Sequence, residues 1–278
     1  MKSFSFNRFC QTLRWTVGVN AHTLMLWFAG SAVGTFIGQM CQLTMFGDDN
    51  YAASVQNFGG FFSFCLVLVA LVGLSSIFAA FNDKRRRESL LMLPATNLEK
   101  FLSAMIYVTV VWTLSIFIAF AAGDTLRALA RMLLYRDPWL SSVPVMLGFI
   151  TPGFSSGAFS FHFMMMEFVL FCAFVLWTHS AYTLGGIFLR KYAFTATSVA
   201  IVLLLIIVVR ICKDGGVSMF SSNWENGVLV KEEVGAMAYV LTAVLTLLAV
   251  FNYWASFRIF KHFELITNKW TNYDFFKR

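Results

Sequence analysis

The chain has 278 residues, of which 59% are hydrophobic and 13% are charged, and its formal net charge is +7. Soluble domains carry about 25% charged and about 45–50% apolar residues, so this composition excludes an ordinary soluble fold. The mean hydropathy of +0.71 is concentrated in runs near the ~20 residues that a helix needs to cross a bilayer, and these runs do not alternate as the strands of a membrane barrel do. We therefore predict an all-α integral membrane protein.

The excess of basic residues is typical of the cytoplasmic bias of Lys and Arg in membrane proteins. For this reason we do not expect nucleic acid as a partner. The five cysteines are scattered and form no CxxC pair, so neither a metal site nor a disulfide framework is expected.

Residues 1–22 have the pattern of an amphipathic helix that lies in the membrane interface. Phe6, Phe9, Leu13 and Val17 fall on one helical face, and polar or basic residues take the other faces. The alternative is a basic flank that only orients the first span.

Six apolar runs are long enough to span a bilayer with modest tilt. A seventh run, which begins at Val143, is too short and contains Pro144, so we expect a partial or re-entrant segment there. We treat residues 1–278 as a single transmembrane domain without linkers. The predicted spans are 23–46, 58–81, 101–122, 161–183, 193–211 and 236–259.

The distribution of basic residues predicts the orientation of these spans. If the N-terminus is inside, 15 of the 21 Lys and Arg residues fall on cytoplasmic segments and six fall outside. The positive-inside rule then places both termini in the cytoplasm. We expect a multi-pass protein of the plasma membrane, which in a bacterium is the inner membrane.

The first predicted span carries a stripe of small residues. Gly30, Gly34 and Gly38 are four residues apart and share one helical face. Such stripes allow close approach of a second helix, which belongs either to the same chain or to a second subunit.

Residues 82–100, between the second and third spans, are more than a topological anchor. After four consecutive basic residues come Leu90–Leu93, which are too apolar for a free loop, and Pro94, which breaks the chain direction. Thr96 and Glu99 match the S/T-x-x-E capping box, so a new helix begins just after Thr96 and runs into the third span. The sequence predicts a short cytoplasmic helix, a sharp corner and a rigid junction.

Residues 123–160 form a long external segment. Asp124 is a plausible N-cap of a short helix that Asp137-Pro138 ends. Arg127 and Arg131 share a face of this helix, where they meet an anionic substrate or lipid, or are simply solvated.

Glu167 is the only acidic residue within a predicted span, a position where an ionisable group is costly and a functional role is the default expectation. Arg210 and His162 are its candidate partners. A structural ion pair or a protonated acid facing the bundle is the alternative. His179, in the same span, has the character of a satisfied interfacial histidine.

The sequence contains no GxxxxGK[ST] motif, so any nucleotide hydrolysis takes place on another polypeptide. Residues 153–157 fit G-x-S-x-G, but a nucleophile elbow needs a strand-to-helix turn and this stretch follows a Pro-containing segment at the membrane edge. The Glu232–Glu233 pair lies in a predicted loop without hydrolase spacing. We therefore do not expect an enzyme, although an intramembrane hydrolase, a secondary transporter and a non-transporting assembly or structural protein stay open.

The stretch "RRRESLLMLPATNLEKFLSA" resembles the first cytoplasmic loop of type 2 ABC transporter permeases. The six spans, the internal termini and the interfacial helix resemble the layout of that family, whereas the long segment 123–160 departs from it. The resemblance implies a coupling helix formed by Glu88, Ser89, Leu90, Leu91, Met92 and Leu93, which contacts a partner ATPase, and a corner set by Pro94, Thr96 and Glu99.

The same resemblance implies the function and the partners. The chain would be the permease subunit of an ATP-driven exporter and would bind no cofactor, with ATP and Mg on a separate cytoplasmic ABC ATPase. A second permease copy, identical or related, would pair with it through the first span and its glycines, Gly30, Gly34 and Gly38. Membrane lipid is the remaining expected partner.

Overall fold

The computed structural model describes residues 4–45, 51–79, 84–148, 155–156, 159–160, 165–189, 192–214, 220–225 and 228–262. The described residues are mostly helical and include two short hairpins. In order, the elements are α1 (Phe6–Met45), α2 (Tyr51–Ala79), α3 (Lys84–Met92), α4 (Asn97–Ile106), a π-helical segment (Tyr107–Trp112), α5 (Thr113–Tyr135), α6 (Val143–Gly148), β1 (Ser155–Ser156), β2 (Phe159–Ser160), α7 (Met165–Phe188), α8 (Ala193–Asp214), β3 (Phe220–Glu225), β4 (Val228–Val234) and α9 (Ala236–Lys261).

Six helices within the described residues are long and apolar enough to cross a membrane. This confirms the predicted number of spans and identifies a multi-pass membrane protein. The candidate spans are Phe6–Thr44, Tyr51–Ser75, Asn97–Tyr135, Met165–Phe188, Ala193–Asp214 and Ala236–Lys261.

The chain divides into two compact units. The first unit contains Met1–Gly73 and Leu93–His162, and the second contains Leu74–Met92 and Phe163–Arg278. In the first unit, α1 packs along α5 and along α4. In the second, α7 packs extensively against α9 and also against α8.

The first helix is continuous, so the structure has no boundary between an interfacial helix at 1–22 and a span at 23–46. α1 runs for 40 residues, or ~60 Å at ~1.5 Å per residue, about twice the ~30 Å hydrocarbon thickness. The reason lies in the sequence, because no proline interrupts this stretch and an isolated Gly18 lowers helix stability without ending the helix.

The third span is also longer than predicted. α4, the π-helical segment and α5 form one rod, Asn97–Tyr135, and Thr113 Oγ1 donates to Val108 O at 3.3 Å within its π-helical part. Asp124 is therefore inside α5 and is not the N-cap of a separate external helix. The rod ends where Arg136 adopts a left-handed backbone (φ 59°), just before the predicted stop at Asp137-Pro138.

The expected loop around Glu232–Glu233 is a strand. β3 and β4 pair antiparallel, with Phe220 opposite Val234 and Ser222 opposite Glu232, and the register shifts at Asn223/Trp224. The signal was present in the sequence, since the dipeptide Asn226-Gly227 between two β-prone runs is typical of a hairpin turn.

In the second unit, apolar side chains and a few polar pairs join α7 to α9. Ala173, Trp177, Leu245 and Ala249 form its buried apolar cluster. Further along, Asn252 Nδ2 donates to Ser180 Oγ at 3.1 Å. Hydrogen bonds of this kind between spanning helices contribute about 0.6 kcal/mol each.

In the first unit, Gly123 sets the distance between α5 and α1. A Cβ at this position would lie 2.5 Å from Ala32 O and 2.8 Å from Thr35 Cβ, whereas a Cβ at Gly30 would meet no atom within 4 Å. The two helix backbones can approach closely at Gly123 because it has no side chain. Any side chain there would push the helices apart.

We predict that Gly123→Ala lowers the free energy of unfolding by about 1–3 kcal/mol, the usual effect of overpacking a filled interface. Gly30→Ala is the matched control and should leave stability unchanged or slightly raised, since alanine favours helix. Denaturant titration of the purified protein in detergent, followed by circular dichroism, measures both. Equal effects of the two substitutions would contradict the close contact at Gly123.

Candidate functional site

The first unit carries two ionic clusters, one at each end of the rod Asn97–Tyr135. The first, which we call the N-terminal clamp, consists of Ser5, Arg8, Thr96 and Glu99. The Glu99 side chain is fully buried. Its Oε1 accepts from Ser5 N at 2.8 Å and from Arg8 Nη2 at 3.1 Å, and its Oε2 accepts from Thr96 N at 2.8 Å and from Arg8 Nε at 3.4 Å.

The clamp contains the capping box that the sequence predicted. Thr96 Oγ1 accepts from Glu99 N at 3.3 Å while the Glu99 carboxylate accepts from Thr96 N, and α4 begins at Asn97. The two partners from the start of α1, Ser5 and Arg8, were not predicted. They lie more than 90 positions away along the chain, so no local pattern could reveal them.

The clamp ties the beginning of α1 to the beginning of α4. Charge-assisted hydrogen bonds are about twice as strong as neutral ones, and a buried carboxylate that loses its cation is strongly destabilised. The Arg8 side chain is 32% exposed, so solvent screens part of its attraction. The backbone donors, Ser5 N and Thr96 N, are therefore as important as the guanidinium.

The segment expected to be a coupling element has the predicted helix and turn. α3 covers Lys84–Met92 and belongs to the second unit, and the chain then turns, with Ala95 N donating to Leu93 O at 2.8 Å. On α3, Leu90 is buried at 7% exposure, whereas Leu91 and Met92 are 40% and 84% exposed. Contact of this segment with an ATPase stays a prediction.

The second cluster, which we call the Asp124 network, lies near the other end of the rod. Asp124 is fully buried. Its Oδ1 accepts from Arg127 Nη2 at 2.9 Å and from Ser142 Oγ at 2.7 Å, and its Oδ2 accepts from Ser141 Oγ at 2.7 Å and from Ser142 N at 3.0 Å. The three contacts from Ser141 and Ser142 hold the chain that enters α6 against α5, whereas the pair with Arg127 lies within α5.

Arg127 is fully buried in the same network. Its Nη1 donates to Tyr51 OH at 2.8 Å, and its Nη2 also donates to Leu140 O at 2.7 Å. One turn later, Arg131 Nε lies 2.6 Å from Asp137 Oδ2, and the Arg131 guanidinium covers the Tyr135 ring at 4.2 Å from its centroid. Two cations are thus matched by two carboxylates.

This arrangement corrects the expectation for the two arginines. Arg127 and Arg131 are 0% and 1% exposed, so they are neither solvated nor facing headgroups or a free anionic ligand. Helical spacing showed that they share a face. It could not show that Tyr51 and the 137–142 segment cover that face.

The short apolar run at Val143 forms α6, six residues packed into the first unit. Gln39 on α1 is fully buried, and its Nε2 lies 3.4 Å from Ser142 Oγ. On α2, a Cβ added at Gly59 would lie 2.5 Å from Val145 Cβ. The segment is therefore partial, as predicted, and it is anchored by polar contacts at its start and by close packing along its length.

The two clusters are far enough apart along the rod to lie on either side of a hydrocarbon layer. Glu99 and Asp124 are 25 positions apart on one helical rod, which is ~37 Å at ~1.5 Å per residue and exceeds the ~30 Å thickness of the bilayer core. The charged groups can therefore both lie at membrane edges.

Between the clusters, α1 borders an apolar cavity of about 180 Å³. An added Cβ at Gly30 or Gly34 would meet nothing within 4 Å, and at Gly38 it would lie 3.7 Å from Phe62 Cζ. The glycine stripe is thus not closely packed within the described chain at Gly30 and Gly34, and pairing with a second subunit stays a prediction. The cavity is lined by Ser31, Gly34, Thr35, Phe62, Cys65, Leu66, Val69, Ile116 and Phe120.

Glu167 is partly buried in the first turn of α7, and Arg210 is exposed near the end of α8. The polar site expected around Glu167 stays a prediction. His162 lies outside the described residues. His179 Nδ1 is 2.6 Å from Tyr253 OH, so this histidine has a partner on α9, as a satisfied histidine should.

The described residues also bear on two kinds of chemistry, metal binding and nucleophilic catalysis. Among the described residues, no group of three or more His, Cys, Asp or Glu side chains is placed to hold a metal ion. Ser155 of the G-x-S-x-G stretch lies in β1, which pairs with β2 rather than leading directly into a helix.

Comparison with protein-family models, with curated proteins and with solved structures finds no match to this chain.

We predict that Glu99→Gln lowers the free energy of unfolding by about 1–3 kcal/mol, because it leaves buried donors without an adequate acceptor. Arg8→Gln should have a smaller effect on stability, since Arg8 is partly exposed. The double variant should lose less stability than the sum of the two single losses. Arg14→Gln, at an exposed position of α1, is the matched control. Additive effects would show that Arg8 and Glu99 are not coupled.

The Asp124 network gives a second test of burial. Asp124→Leu should destabilise the protein by about 3–5 kcal/mol, because Arg127 is left as an uncompensated buried charge. Adding Arg127→Met should restore much of that loss, since apolar residues can replace a buried pair at little cost. Thermal unfolding in detergent measures both variants, with Asp214→Leu at an exposed site as the control. A double variant that is less stable than the single variant Asp124→Leu would refute the pairing.

Proposed function

We propose that this chain is the permease subunit of an ATP-driven ABC exporter and works with a separate cytoplasmic ATPase. The observation that carries the proposal is the N-terminal clamp next to the α3–α4 corner. Glu99 caps α4 at this corner and also holds the start of α1. Any displacement of the corner therefore acts on two long membrane helices together.

Exposed apolar side chains beside the corner support a docking role for α3. Met92 is 84% exposed and Leu91 is 40% exposed at the end of a short helix whose first six residues are polar. Methionine adapts its shape to a partner surface, and an apolar contact rimmed by polar groups is typical of protein interfaces. The proposed ATPase contact covers Glu88, Ser89, Leu90, Leu91, Met92 and Leu93.

The proposed mechanism passes movement along the rod. ATP binding closes the partner ATPases and displaces the corner formed by Pro94, Thr96 and Glu99. Because α4, the π-helical segment and α5 are continuous, the displacement reaches the Asp124 network at the far end. Paired permease subunits then open a path outward between them, and ATP with Mg stays on the ATPase.

The experiment is a pulldown from membranes solubilised in mild detergent, with mass spectrometry to identify an ABC-type ATPase and an assay of its ATP hydrolysis. We predict that Glu88→Arg plus Leu91→Asp lowers recovery of this ATPase at least about tenfold, because a loss of about 1.4 kcal/mol of binding free energy weakens binding tenfold. Circular dichroism and size-exclusion chromatography check that the variant is folded.

The matched control is Leu133→Arg plus Leu134→Asp, two exposed residues at the far end of α5, which should leave recovery unchanged. Loss of the ATPase from both variants would indicate general damage. Absence of any ABC-type ATPase from crosslinked wild type would refute the proposal and favour a non-transporting membrane protein. Transport that persists with a catalytically dead ATPase would refute it as well.

A further inference from the structure

The last spanning helix ends in an exposed stripe of aromatic and basic side chains. We call Phe251, Trp254, Arg258 and Lys261 the α9 basic stripe. Their spacing of three, four and three residues keeps them on one helical face. Phe251 and Trp254 are 56% and 54% exposed, and Arg258 and Lys261 are also exposed.

The stripe lies on the side of α9 that faces away from α7. Ala249, which belongs to the apolar cluster with Trp177 of α7, and the buried residues Ser256 and Phe260 take the opposite face. The helix thus has one side committed to the second unit and one side available to its surroundings.

The side chains of the stripe are already arranged. The Arg258 guanidinium lies 5.2 Å from the Trp254 ring centroid, and the Phe251 and Trp254 rings are 6.0 Å apart. A cation over an aromatic face is held in place by the ring quadrupole while its donors remain available. These side chains therefore lose less conformational entropy when a ligand binds.

The length of α9 places the stripe at the membrane edge. The helix has 26 residues, or ~39 Å at ~1.5 Å per residue, and the hydrocarbon core is ~30 Å thick. Trp254 lies ~27 Å and Arg258 ~33 Å along the helix from Ala236. The rings therefore reach the interface where aromatic side chains concentrate, and the cations reach the headgroups.

The charge of the stripe has no counterpart on its own helix. α9 contains no Asp or Glu, and the described ion pairs of the chain involve neither Arg258 nor Lys261. We propose that the α9 basic stripe binds an anionic phospholipid, with the phosphate between Arg258 and Lys261 and the lipid chains along Trp254 and Phe251. This inference is independent of the proposed transport function.

The test uses the purified full chain and a defined probe, phosphatidylglycerol, with phosphatidylcholine as the zwitterionic reference. Native mass spectrometry of the protein titrated with each lipid gives apparent dissociation constants. Each basic residue near an anionic lipid surface contributes about a fivefold factor, so Arg258→Gln plus Lys261→Gln should weaken phosphatidylglycerol binding about 25-fold. Phosphatidylcholine binding should not change.

The matched control is Arg210→Gln plus Lys213→Gln, which removes two exposed cations from the end of α8 and should leave binding at the wild-type level. Binding of phosphatidylglycerol to wild type should also weaken as salt is raised, which tests the site without any substitution. Unchanged binding in the α9 variant, or an equal loss in the α8 control, would overturn the proposal. So would dissociation of a protein dimer by the α9 variant without any change in lipid binding, since a second copy would then cover the stripe.

Discussion

Two fully buried carboxylates, Glu99 and Asp124, organise the first unit. A buried carboxylate is tolerated only when donors surround it, and each of these accepts four hydrogen bonds, three of them from another segment of the chain. Because the donors are supplied by α1, the α4 corner and the segment before α6, satisfying the two charges determines which helices come together at each end.

The two carboxylates also lie on one uninterrupted rod. A helix transmits displacement along its axis because its hydrogen-bonded backbone resists stretching, so Glu99 and Asp124 are mechanically linked although ~37 Å of helix separates them. The middle of the rod is joined to its neighbours mainly by apolar packing, with the Trp112 ring 5.6 Å from the Trp27 ring. Such contacts are close without being directional.

Local features of the sequence were sufficient wherever the deciding interactions are local. The capping box at Thr96 and Glu99 depends on atoms three residues apart, and the turn after Met92 depends on the proline that follows it. The spans depend on hydropathy summed over ~20 residues. The hairpin at β3 and β4 was equally local, and attention to the alternating residues on either side of Asn226-Gly227 would have predicted it.

The sequence by itself determined the class of protein, the number of spanning helices and the break and capping box between α3 and α4, because hydropathy and backbone capping act over a few turns of chain. Only the tertiary structure decided that Arg8 pairs with Glu99, that Arg127 and Arg131 are buried rather than solvated, and that Gly123 rather than Gly30 or Gly34 brings α1 against its neighbour. These outcomes depend on which surfaces meet across scores of residues. In a chain where nearly every helix face is apolar, hydrophobicity cannot distinguish a face covered by protein from one covered by lipid.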